Sequence, residues 1–66
     1  MRIQLNGEGK DVGDNISLAT LVADLKLKPE QIAVEVNQTV VRRKEWEKTR
    51  LRVEDKVEIV HFVGGG

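Results

Sequence analysis

Few side chains in this sequence are suited to covalent chemistry. There is no cysteine and a single histidine, His61. That argues against a zinc site built by this chain. It also means the chain cannot hold sulfur as a persulfide of its own. The acidic residues show no spacing that pairs a general acid with a general base, and Ser17 has no paired base. What remains is the end of the chain. Val57-Glu58-Ile59-Val60-His61-Phe62-Val63 runs straight into Gly64-Gly65-Gly66. A chain ending at Gly66 presents an α-carboxylate, whose reference pKa of about 3.3–3.7 leaves it ionised at neutral pH. Without Cβ atoms, glycines let a backbone pass through a channel too narrow for side chains. A carboxylate on such a stalk can enter another protein's active site. The competing reading is an inert, frayed end.

Other candidates are weaker. His61 sits close to the tail, where an acid or base could act, but it is read as an ordinary strand residue. Arg42-Arg43-Lys44 is either an anion-binding patch or a solvated loop balanced by Glu45 and Glu47, and the second reading is the simpler. Trp46, the single tryptophan, is read as capping the core, with an interface role as the alternative.

The elements that must carry the tail are those of one small domain of 66 residues. Lys+Arg and Asp+Glu are both 11, so the net charge is zero, which argues against a nucleic-acid binder. No apolar run approaches the roughly 18 residues of a membrane span, and the N-terminus has no signal-peptide pattern. A cytoplasmic protein is the expectation.

Residues 1–6 alternate, with Ile3 and Leu5 on one side and Arg2, Gln4 and Asn6 on the other, as a strand does. Asn6-Gly7 is a hairpin signal, Gly9 is expected to extend the turn, and residues 10–12 form the return strand. Ser17 is a good N-cap. Leu18, Leu21, Val22 and Leu25 then fall on one face of a helix that Pro29 stops at or before Lys28, with Lys26 and Lys28 near its C-terminal end. Ile32, Val34 and Val36 alternate with Ala33 and Glu35 in the next strand. Asn37-Gln38-Thr39 is read as a turn and Val40-Val41 as a short edge strand. Leu51 and Val53 are expected to fill the bottom of the core, and Glu54-Asp55-Lys56 turns the chain into the last strand. That strand is apolar on both faces, so it belongs in the middle of a sheet or at a binding surface. One helix covers only one face. Val60 and Phe62 are therefore expected on the open face beside the tail, unless the irregular segment 42–53 covers them.

This order resembles the β-grasp, or ubiquitin-like, fold. It is an α+β fold with a mixed four- to five-stranded sheet, one main helix on one face and a free C-terminal glycine tail. Residues 1–63 would be the domain and 64–66 the tail. Within that fold the chain closely resembles the ThiS family, the sulfur carriers of thiamine biosynthesis. The resemblance rests on Ile3-Gln4-Leu5-Asn6-Gly7, Ala33-Val34-Glu35-Val36-Asn37, Trp46, and Val57-Glu58-Ile59-Val60 with the diglycine terminus. Family members usually carry Gly-Asp before the last strand, where this chain has Glu54-Asp55, and two terminal glycines suffice where this chain has three.

The resemblance implies a protein-borne substrate, not an enzyme. A ThiF-type adenylating enzyme would use ATP and magnesium to convert the Gly66 carboxylate to an acyl-adenylate. A cysteine desulfurase persulfide or other sulfur donor would lead to a thiocarboxylate, and thiazole synthase would receive the sulfur. Gly64 and Gly65 would deliver the terminus, while Val60, Phe62, Val63 and Val41 would dock the partners. No cofactor, metal, nucleic acid or membrane would be bound by this chain. Because the partners bring their own active sites, His61 is not needed as an acid or base. Two alternatives stay open: a carrier of the same chemistry for molybdopterin or tRNA thiolation, and a ubiquitin-like interaction module whose tail is inert.

Overall fold

The computed structural model describes residues 1–62. The expected tail residues Gly64, Gly65 and Gly66, the docking residue Val63 and the boundary drawn between 63 and 64 lie outside the described residues.

The alternation at the start of the chain gives β1 (Arg2–Leu5), with Ile3 fully buried. Asn6 and Gly7 both take positive φ, 50° and 84°, which matches a two-residue hairpin turn to the twist of its strands. The return strand is β2 (Glu8–Asp11). Gly9 is not part of the turn: it pairs with Gln4 in the ladder, and the Arg2 side chain lies over the space where a Cβ would be.

Ser17 caps the helix as expected, its Oγ accepting from the Thr20 N–H at 3.0 Å. The helix α1 (Leu18–Asp24) is short. It ends well before Pro29 because the chain closes on itself: Lys26 N–H donates to the Ala23 carbonyl and Leu27 N–H to the Val22 carbonyl, with Lys26 at φ 59°. This is a Schellman closure, with a lysine in the left-handed position usually given to glycine. Lys26 and Lys28 thus lie beyond the helix and not in its last turn. A single 3₁₀ turn (Pro29–Gln31) leads into β3 (Ile32–Val36).

Asn37 and Gln38 form a second two-residue turn, with φ 51° and 71°, into β4 (Thr39–Val41). A 3₁₀ helix (Arg43–Lys48) follows, and β5 (Lys56–His61) closes the fold. The sheet order is β2-β1-β5-β3-β4, with β5 parallel to β1 and antiparallel to β3. The last strand is therefore central, and the mixed five-stranded sheet with one main helix is the β-grasp arrangement.

The core lies between the sheet and α1. Ile3, Val34, Val57 and Ile59 from the sheet meet Leu18, Leu21 and Val22 from the helix, closed by Ile32, Trp46 and Leu51. Leu5, Leu25 and Val36 are half-buried at its margin. Segment 42–53 packs on the helix side. Leu18 N–H donates to the Thr49 carbonyl at 2.8 Å, and Leu51 N–H donates to the Ile16 carbonyl at 2.9 Å. Val53 does not fill the core: it is 63% exposed. The chain turns immediately after Leu51, where the Asp55 carboxylate accepts from the Arg52 N–H at 2.8 Å, and Val53 stands on that turn.

Candidate functional site

The candidate site is built on β5, because this strand leads towards the glycines. It is held along both edges. On one side Asn6 N–H donates to the Val57 carbonyl at 2.9 Å, and the Asn6 side-chain oxygen accepts from Ile59 N–H at 2.8 Å. On the other side Asn37 N–H donates to the Lys56 carbonyl at 2.7 Å, and its side-chain oxygen accepts from Lys56 N–H at 3.0 Å. Asn37 also donates to Asp55 Oδ1 at 3.0 Å, fixing the turn that feeds the strand. Both asparagines occupy left-handed turn positions, which Asn tolerates better than most residues, and both place an amide where β5 needs a partner. Their turn role was legible from sequence; their grip on β5 had no local signal.

Pairing continues past the strand's formal end. Phe62 N–H donates to the Gln31 carbonyl at 2.9 Å. Within β5 the side chains alternate strictly, with Val57 and Ile59 buried under the helix and Lys56, Glu58 and Val60 on the other face. Val60 is 55% exposed and Phe62 52% exposed. Segment 42–53 does not cover them, because Trp46 and Leu51 point into the core. Two exposed apolar side chains in sequence along the open face of the central strand make this face the candidate docking surface.

Val41 does not share this face. It lies opposite the fully buried Val34, is half-buried and packs against the core. Its carbonyl accepts from Trp46 Nε1 at 2.8 Å, so the tryptophan both caps the core and occupies a backbone acceptor of the edge strand. The exposed apolar residue of β4 on the open face is Val40, which lies opposite Glu35 and is 63% exposed. The turn expected over 37–39 is one residue too long; a two-residue turn at Asn37-Gln38 shifts the register by one and exchanges the faces of Val40 and Val41.

Acidic groups and a small alanine lie on the open face around these side chains. Glu35 of β3 stands directly opposite Glu58 of β5, and Ala33 opposite Val60. His61 is exposed at the end of β5, across from Ile32. Among the described residues, no group of three or more His, Asp or Glu side chains converges as a metal site would require, and no helix is long and apolar enough to cross a membrane.

Comparison with known proteins agrees with this geometry. The chain is 35% identical to the sulfur carrier protein ThiS of Bacillus subtilis, in a match that covers 97% of this chain and 98% of that protein. It is 41% identical to part of a thiazole synthase of Magnetococcus marinus; the match takes in the whole of this chain but only 20% of that longer protein. The crystal structure of the thiamine biosynthesis protein ThiS from Geobacter metallireducens superposes with a TM-score of 0.86 at 32% identity, over the full length of both chains. The family model matches residues 3–66, a span that includes the terminal glycines, and the chain belongs to the ThiS family.

Proposed function

We propose that this chain is a sulfur carrier of thiamine biosynthesis, and that it is the substrate of its partner enzymes, itself without catalytic activity. The observation that carries this reading is the position of β5. The strand that leads to the glycines is central, anchored on both edges and flanked by exposed Val60 and Phe62. Family membership supports it, as do the likeness to a sulfur carrier of Bacillus subtilis and the ThiS-like segment within thiazole synthases.

In this reading a ThiF-type enzyme binds the open face through Val60 and Phe62, takes Val63 as a further contact, and draws Gly64 and Gly65 into its active site. A carboxylate is a poor electrophile. ATP, with magnesium held by the enzyme, converts the Gly66 carboxylate to an acyl-adenylate and releases pyrophosphate. The terminal sulfur of a desulfurase persulfide then attacks the acyl carbon and displaces AMP, and a second thiol, on the partner, attacks the donor's sulfur in the resulting acyl disulfide, leaving the thiocarboxylate on Gly66 and a disulfide between the two thiols. Thiazole synthase accepts the sulfur. The chain itself needs no cofactor for this; it supplies the terminus and the surface that aims it. Such chemistry belongs in the cytoplasm, where the partners' thiols stay reduced.

The test is adenylation. With a ThiF-type enzyme and MgATP, the intact chain should support ATP–pyrophosphate exchange. A variant lacking Gly65 and Gly66 should support none while keeping its circular dichroism spectrum. Equal exchange by both chains would refute the reading in favour of an interaction module with an inert tail.

A further inference from the structure

The open face carries a pair of like charges that the fold does not use. Glu35 and Glu58 are directly opposite each other on neighbouring strands. Side chains so placed have Cβ atoms about 4.5–5.5 Å apart, and like charges there repel. Among the described residues neither carboxylate has an ion-pair partner within 4.0 Å. Lys56 shares the face two positions before Glu58 and pairs with neither. The chain as a whole has zero net charge, so the pair is a local concentration and not a general acidity.

Its surroundings give it direction. Val40 adjoins Glu35 in the same row, Val60 follows one step along β5, and Phe62 lies beyond it towards the tail. Each of these apolar side chains is more than half exposed. Two carboxylates set among exposed apolar groups fit a partner surface that is apolar around one basic side chain. A guanidinium suits the site better than an ammonium, because its planar fork has five N–H donors and can reach two carboxylates together.

We propose that Glu35 and Glu58 form the polar anchor of the docking face, and that the adenylating partner inserts an arginine between them. This rests on the sulfur-carrier reading and names the chemistry of its partner's surface. The anchor would bring the β5 end of the carrier, and so its tail, into register with the partner.

The experiment measures ATP–pyrophosphate exchange by a ThiF-type enzyme against carrier concentration, for wild type, Glu35→Gln, Glu58→Gln and the double variant. Glu8→Gln, on the distant edge strand β2, controls for overall charge. The double variant should raise KM for the carrier about tenfold or more, with kcat little changed, because loss of a buried interfacial charge partner weakens the complex. Glu58→Lys should raise it further, and wild-type KM should rise with salt more steeply than that of the double variant. The Gln variants should melt no lower than wild type, since repulsion is relieved. An unchanged KM in the double variant, with wild type active, overturns the anchor and leaves the carrier reading standing. Absence of exchange by wild type itself overturns the carrier reading, and the anchor with it.

Discussion

The side-chain oxygen of Asn6 accepts a hydrogen bond from the backbone N–H of Ile59 at 2.8 Å, across 53 residues of sequence. A turn residue at the start of the chain thus holds the strand that ends it. Asn6 has two separable roles, the left-handed turn at φ 50° and the grip on β5. Asn6→Gly keeps the turn and removes the grip, and should lower unfolding stability by about 1 kcal/mol. Asn6→Ala removes both and should lower it by about 2 kcal/mol. Urea unfolding followed by Trp46 fluorescence measures the difference. Equal stabilities for wild type and Asn6→Gly would show that the side-chain bond contributes nothing.

Three other left-handed positions, Lys26, Gln38 and Glu54, hold residues that do not favour them. Lys26 closes the helix at φ 59°, and Glu54 sits at φ 67° in the turn before β5. Relief of backbone strain should outweigh the added freedom of glycine in the unfolded chain. Lys26→Gly and Glu54→Gly should each stabilise by roughly 0.5 kcal/mol, and the effects should add. Thermal midpoints check this; a fall in either variant contradicts it.

Val60 and Val41 should respond oppositely to the same change. Val60→Thr, on the open face, should leave stability within about 0.5 kcal/mol of wild type and weaken binding to the adenylating enzyme. Val41→Thr puts a hydroxyl against the core and should lower stability by about 1 kcal/mol with little effect on binding once folded. Titration calorimetry with the enzyme, beside denaturant unfolding, separates the two. A binding loss confined to Val41→Thr would reverse the assignment of faces.

Trp46 donates its indole N–H to the Val41 carbonyl and is 4% exposed. Trp46→Phe keeps most of the apolar bulk and loses the donor, so it should destabilise by about 1–2 kcal/mol. A loss below about 0.5 kcal/mol would mean that water or another group satisfies Val41.

Most of the fold was legible because its elements carry strong local patterns. Ile32, Val34 and Val36 alternate, Ser17 precedes a helical stripe, and Val57 to Val60 is apolar on both faces, as a central strand must be. The departures come from closures that sequence marks faintly. The helix ends at a left-handed Lys26 in place of a glycine, well before Pro29. Val53 continues the alternation of Leu51, but the chain has already turned. The exposure of Val60 and Phe62 was legible, because one helix covers only one of two sheet faces. Val40 was missed because a one-residue error in a turn inverts every side chain after it. The Glu35–Glu58 pair depends on register between strands distant in sequence, which no local pattern reveals.

The proposed carrier function stands or falls on sulfur being carried by Gly66. Intact-mass spectrometry after incubation with a ThiF-type enzyme, MgATP and a persulfide donor tests it most directly. The expected result is a mass increase equal to replacing one oxygen with sulfur, located by fragmentation on Gly66 and absent without ATP. No increase, or an increase located on any other residue, would contradict it.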